Sequence, residues 1–161
     1  VLFAAADCTG HGVPGAMVSV VCNNALNRSV REYGLTDPGQ ILDKTREIVV
    51  QEFEKSDEDV NDGMDIAICS LEGFQLKYAG AHNPLLIIRR GEVLETKANK
   101  QPIGKFDSPK PFTTHTIDLE KNDAIYVSET DLGFDLSASK ASTEYFLPFA
   151  WTIIDSSMFP Y

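Results

Sequence analysis

Hydrophobic and polar positions change their spacing twice along this chain. Val1 to Ala6 is an unbroken apolar run, the pattern of a short strand buried on both faces, and it stops at the carboxylate of Asp7. Residues 14–33 lack Gly or Pro after Gly15, and Met17, Val20, Val21 and Leu26 recur near a helical period. Arg28 and Arg31 lie toward the end of that helix, where cations suit its dipole, and Gly34 stops it. Thr36-Asp37-Pro38 opens a second helix capped by Asp37 or Thr36. Its apolar stripe is Ile41, Leu42, Thr45, Ile48, Val49 and Phe53, which leaves Lys44, Glu47 and Glu52 in water. A loop this short predicts two antiparallel helices on one face of a sheet.

After an acidic connection over residues 54–63 the spacing becomes that of strands. The connection has five carboxylates but not the alternating ligands of a calcium loop, and it reads as a solvated link. Met64–Leu71, Phe74–Ala79, Pro84–Arg90 and Glu92–Thr96 are separated by Glu72-Gly73, the turn at 80–83 and Gly91, so the first and last pairs read as hairpins. Phe112–Leu119 and Asp123–Ser128 follow, divided by Glu120-Lys121-Asn122. Helices followed by a run of antiparallel strands predict a layered α+β domain.

Composition narrows the function. At 161 residues the chain suits one domain with a real core. A net charge of −10 argues against nucleic acid and against anionic membrane surfaces as partners. Cys8, Cys22 and Cys69 are an odd number without paired spacing, which suggests reduced thiols and a cytoplasmic setting. No apolar run approaches the ~18 residues of a membrane span, and no signal peptide is visible. The start at Val1, inside a strand-like run, reads as a fragment of something longer.

The chemistry centres on Asp7-Cys8-Thr9-Gly10-His11-Gly12-Val13-Pro14. A carboxylate at a strand end, followed by two glycines that permit a tight turn, suits a cation site. The competing reading, a helix cap, would place the acid next to Pro14. His11 has two readings, a proton donor to a leaving oxygen and a residue that pins the turn. Asp65, inside an apolar strand, requires a partner or a strand mouth. Arg89-Arg90 and His115 read as solvated surface residues, and Asn83 before Pro84 as a turn residue without a ligand.

Four ordered stretches carry a resemblance. They are Ala6-Asp7-Cys8-Thr9-Gly10-His11-Gly12-Val13-Pro14-Gly15-Ala16, Asp62-Gly63-Met64-Asp65-Ile66-Ala67, Tyr78-Ala79-Gly80-Ala81-His82-Asn83-Pro84 and Gln101-Pro102-Ile103-Gly104. Together they resemble the bacterial stage-II-sporulation-protein-E-like phosphatases of the metal-dependent protein phosphatase 2C superfamily. The resemblance implies an α/β/β/α sandwich and two-metal hydrolysis of phosphoserine or phosphothreonine with Mn²⁺ or Mg²⁺. It implies Asp7 as the ligand shared by both metals and the Cys8 carbonyl as a ligand of one. Asp7 and His11 are the candidate catalytic residues, with both readings of His11 still open. Asp131 in Ser128-Glu129-Thr130-Asp131-Leu132 takes the place of the family's later metal-binding aspartate, although Leu132 stands where a glycine is usual.

The family's opening Gly-Gly-Asp strand and closing Asp-Asp-x-Thr strand do not appear, so the domain is expected to be truncated at both ends. Residues 1–133 form the phosphatase domain fragment on this reading, and 134–161 a divergent or non-native tail. The implied partners are a phosphoprotein resembling a STAS-type anti-sigma factor antagonist and an N-terminal sensor or receiver module. The alternative is a catalytically impaired interaction module of the same fold that lacks enough metal-binding carboxylates.

Overall fold

The computed structural model describes residues 1–55, 62–127 and the backbone of 151–154. The elements in order are β1 Leu2–Cys8, α1 Gly12–Arg31, α2 Pro38–Phe53, β2 Gly63–Glu72, β3 Gln75–Ala81, β4 Leu85–Arg89, β5 Glu92–Thr96, β6 Ile103–Gly104, β7 His115–Asp118, β8 Ala124–Val127 and β9 Trp151–Ile154. One sheet runs β7-β3-β2-β1-β9, with β6 paired to the start of β2, and the other runs β5-β4-β8. Every named ladder is antiparallel. Both expected hairpins form, β2–β3 and β4–β5.

Alternation along the central strands sorts side chains into two cores. Leu2, Ala4, Met64, Ile66 and Ile68 face the helices, where they meet Val18, Cys22, Leu26, Ile41, Leu42 and Val49. Phe3, Ala67, Cys69, Leu76 and Tyr78 face the second sheet and meet Leu85, Ile87, Ile125 and Val127. Burial on both faces explains why β1 and β2 read as continuous apolar runs. Each fully buried Ile or Leu contributes about 1.5–3 kcal/mol. The described layers are therefore helices, sheet, sheet: an α+β fold of antiparallel strands with two helices on one face.

Two parts of the pattern shift. The buried face of α1 is Gly15, Val18, Cys22, Ala25, Leu26 and Ser29, whereas Met17 and Val20, expected in the apolar stripe, are 66% and 68% exposed. Small residues set this phase because α1 packs closely on α2, where Ser29 Oγ and Thr45 Oγ1 lie 3.0 Å apart in a buried hydroxyl pair. In α2 the expected buried face holds, with Asp37 as the cap accepting from the Gln40 N–H. Lys44 is only half-buried rather than free in water, its ammonium lying 4.5 Å above the Tyr33 ring.

The two-residue β6 lies inside a stretch expected only as a loop. It exists because Gly63 and Gly104 bring the backbones together, and a Cβ on Gly63 would collide with the Ile103 carbonyl. His115, expected at the surface, is half-buried and stacks on Tyr78 with centroids 6.0 Å apart. Of the expected tail 134–161, Trp151–Ile154 pairs with Leu2–Ala5 of β1. Asp131 and Ser128 lie outside the described residues.

Candidate active site

Asp7 is a strand residue and not a cap. It is the penultimate residue of β1, exposed, and lies opposite Asp65 in the β1–β2 register. It shares the parity of Phe3, so it faces the gap between the two sheets. The helix behind it starts at Gly12, two residues before Pro14, which sits harmlessly in the first turn. Gly10 and Gly12 have φ of +90° and +66°, the left-handed backbone that permits this turn. Gly15 closes it from the helix side, because a Cβ there would stand 2.7 Å from the Gly10 carbonyl carbon and oxygen.

Thr9, which the sequence did not single out, ties the turn down. Its N–H donates to the Gly63 carbonyl at 2.9 Å, its hydroxyl donates to Asp62 Oδ1 at 2.9 Å, and it accepts from the Gly63 N–H at 3.0 Å. His11 therefore is not what pins the turn. It occupies the N-cap position of α1 in extended backbone, exposed and without a capping hydrogen bond.

The Cys8 side chain packs against the helix-side core. A hydrogen bond from Cys22 holds the Cys8 thiol down to about 7; Ser19 assists, against burial and the Asp7 charge. The same bond, with burial, pushes the Cys22 thiol up. All three cysteines are free thiols.

The β2–β3 hairpin adds His82, to which sequence reasoning assigned no role beyond its place in the turn at 80–83. Ile66 pairs with Ala81, so Asp65 is level with His82 just past the end of β3. His82 Nδ1 and Asp65 Oδ1 lie 2.8 Å apart. Asp7, Asp65 and His82 thus form a row across three adjacent strands. His82 has a φ of +58°, and its turn is braced on several sides. Its N–H donates to the Asn99 carbonyl at 2.9 Å, and the Asn99 N–H donates to Gly80 at 2.9 Å. The Tyr78 hydroxyl donates to the Asn83 carbonyl at 2.6 Å. Gly80 has no room for a side chain, since a Cβ would strike that hydroxyl. Asn83 is buried, and its Nδ2 has no partner among the described residues.

The donor set fits a hard cation at one point. Asp7 offers carboxylate oxygens at an open strand end, which suits a hydrated Mg²⁺ or Mn²⁺ better than a soft metal. Among the described residues no group of three His, Cys, Asp or Glu side chains converges to hold an ion. Asp65 is engaged by His82, so among the described residues Asp7, with the adjacent Cys8 carbonyl, is what would hold a cation here. Arg89 and Arg90, at the far end of β4, are held by internal acids. Arg89 pairs with Asp123 at 2.7 Å and Arg90 with Glu120 at 2.6 Å.

Known proteins share this arrangement of layers. The SiaA-PP2C domain of Pseudomonas aeruginosa matches with a TM-score of 0.67 at 26% identity, over 78% of this chain and 49% of that one. The catalytic domain of the serine/threonine protein phosphatase PstP, in complex with two manganese ions, matches with a TM-score of 0.59 at 15% identity, over 78% of this chain and 65% of that one. The PP2C phosphatase domain of SpoIIE from Bacillus subtilis, with a fragment of its regulatory domain, gives 0.55 and 19%, over 76% and 35%. This chain spans about half the length of the SiaA domain. No curated protein matches the sequence. The sequence matches the family Stage II sporulation protein E (SpoIIE) over residues 1–131. The chain belongs to the SpoIIE family and has the PP2C fold.

Proposed function

We propose that this domain hydrolyses phosphoserine or phosphothreonine on a bacterial signalling protein, with Mn²⁺ or Mg²⁺ as cofactor. The observation that carries the reading is Asp7 at the open end of a central strand, facing the gap between the sheets, with a glycine turn tied by Thr9 behind it. The resemblance to a phosphatase domain at 26% identity supports it. Asp7 and the Cys8 carbonyl hold cation, and Asp131 completes the ligand set from beyond the described residues. When bound, the cations supply an acidified water for in-line attack on phosphorus and neutralise the phosphoryl oxygens. The Thr9–Gly63 strap and Gly15 keep the Asp7 carboxylate and the turn backbone in place, so they need not reorganise during reaction.

The substrate on this reading is a phosphoprotein of the STAS-type anti-sigma factor antagonist class, and a sensor or receiver module precedes the domain. One neighbouring structure of the same fold contains the RsbU and RsbW domains of Rv1364c from Mycobacterium tuberculosis. The free thiols and acidic charge suit a cytoplasmic protein. Among the described residues no helix is long and apolar enough to cross a membrane. On this reading residues 1–133 are the phosphatase domain fragment, and 134–161 is a divergent or non-native tail.

A second reading, a catalytically impaired interaction module, is favoured by Leu132 where the family's glycine is usual. Hydrolysis of a phosphoserine peptide with Mn²⁺, and again with excess EDTA, separates the two. Turnover abolished by EDTA supports the phosphatase. A protein that binds the peptide but does not turn it over with Mn²⁺ supports the interaction module.

A further inference from the structure

We infer that His82 is the acid that protonates the leaving serine or threonine oxygen, and that Asp65 is its positioning carboxylate. The inference rests on the phosphatase reading and extends it to a residue outside the glycine turn.

Three observations converge on His82. First, the strand register puts it in one row with Asp7 and Asp65, facing the same inter-sheet gap. Adjacent strands are about 4.8 Å apart, so the Asp7 and His82 backbones stand about 10 Å apart. A phosphoserine held at Asp7 spans that distance together with an imidazole reaching inward.

Second, the ring has an assigned orientation. An ionised carboxylate only accepts hydrogen bonds, so the 2.8 Å contact to Asp65 Oδ1 is donated by Nδ1–H. That leaves Nε2 as the nitrogen that exchanges a proton with substrate. The His82 side chain remains 42% exposed, so the residue is open to a ligand.

Third, His82 is held in a conformation that a side-chain-bearing residue seldom takes. Its φ of +58° is maintained by the Asn99 clamp and the Tyr78–Asn83 brace. Strain that the surroundings over-determine clusters where chemistry is done. His11, by comparison, sits in unstrained extended backbone and makes no side-chain capping hydrogen bond.

The step balances without another reactant. Water oxygen bonds to phosphorus, and the ester P–O bond breaks with its electron pair going to the serine or threonine oxygen. That oxygen takes the proton from Nε2 of the imidazolium, leaving a neutral ring still bonded through Nδ1–H to Asp65. The proton released by the attacking water returns to Nε2 through solvent.

The test compares two substrates in the full protein with Mn²⁺. A phosphoserine peptide requires protonation of its leaving oxygen, whereas p-nitrophenyl phosphate releases a phenolate that does not. His82→Asn is the variant of choice because Asn tolerates the left-handed backbone. Expected is a fall in kcat of about 10²-fold or more on the peptide, in the range of general acid catalysis, with less than about threefold change on p-nitrophenyl phosphate. Asp65→Asn should show the same selectivity, and ¹⁵N-histidine NMR should show the His82 ring losing its fixed Nδ1–H form. Equal losses on both substrates, or no loss on either, overturn the role. So does selective loss in His11→Asn with His82→Asn unaffected, or a His82 ring whose NMR signature ignores Asp65→Asn. No turnover of either substrate by the unmodified protein contradicts the phosphatase reading itself and takes this inference with it.

Discussion

Asp7 and Asp65 stand directly opposite each other in the β1–β2 ladder, so two carboxylates share one face at the same level of the sheet. Like charges so placed destabilise a sheet, by about 0.2–1 kcal/mol on the usual scale of cross-strand pairs. His82 compensates one of them through its 2.8 Å contact with Asp65. Asp7 is left exposed, and in the phosphatase reading it is the charge that a cation offsets.

A stability trade-off follows from that juxtaposition. With excess EDTA present, Asp7→Asn should melt about 1–3 °C above the unmodified protein, because relief of a fraction of a kcal/mol to about 1 kcal/mol moves a domain of this size by that much. Differential scanning calorimetry measures it. A lower melting temperature in EDTA would mean that Asp7 makes a stabilising contact that the proposed cation site does not explain.

Gly15 supports the site without touching substrate. Gly15→Ala puts a methyl group against the Gly10 carbonyl, and neither backbone has room to yield without moving the turn. Mn²⁺ affinity, measured by calorimetric titration, should fall about 10-fold or more, the scale seen when supports of a metal ligand are lost. Unchanged affinity would show that the turn geometry is not needed to hold cation.

Removal of the Tyr78 hydroxyl tests the brace under His82. Tyr78 is buried, and Tyr78→Phe leaves the Asn83 carbonyl without that donor. The cost should be about 1–3 kcal/mol, a drop in melting temperature of roughly 2–12 °C. His82 backbone amide exchange should speed up in the same variant. Native-like stability and exchange would show that the left-handed turn is held by the Asn99 clamp alone.

The thiol pair beside Asp7 predicts a pH profile. Cys8 is depressed from 9.0 to about 7, first by the Cys22 hydrogen bond and then by Ser19. Its ionised form therefore stabilises the fold above the ordinary thiol range, and that contribution is lost as pH falls through about 7. Cys22 is raised, so it costs stability once pH climbs past the ordinary thiol value. Together the pair's contribution rises as pH climbs from about 7 and peaks near the ordinary thiol value of 9.0, above which the Cys22 cost offsets it. Iodoacetamide labelling of Cys8, followed by mass spectrometry, should rise with a midpoint near 7, and Cys22→Ala should move that midpoint upward toward 9.0. A midpoint that stays near the ordinary thiol value in both proteins would mean that the two thiols do not interact.

Much of this arrangement could be read from the residues. The apolar run into Asp7, the Asp37 cap and the two hairpins follow from local periodicity and turn chemistry, and they form as expected. The phase of α1 did not follow, because its buried face is built of Gly15, Cys22, Ala25 and Ser29, small residues chosen for close helix packing, while bulky Met17 and Val20 lie outside. The Asp65–His82 pair was hidden by one residue of turn register. With the turn at Glu72-Gly73, as the glycine suggested, Asp65 faces Gly80. The ladder instead pairs Glu72 with Gln75, and this moves His82 opposite Asp65. A signal was present in the carboxylate stranded within an apolar strand, which required a partner.

The phosphatase account is tested most directly by the rate of Mn²⁺-dependent hydrolysis of a phosphoserine peptide by Asp7→Asn beside the unmodified protein. Loss of the strand-end carboxylate should remove about 10²-fold or more of kcat, in proportion to the electrostatic stabilisation that it anchors, and EDTA should abolish what the unmodified protein retains. An Asp7→Asn protein that turns over at near the unmodified rate would contradict the account.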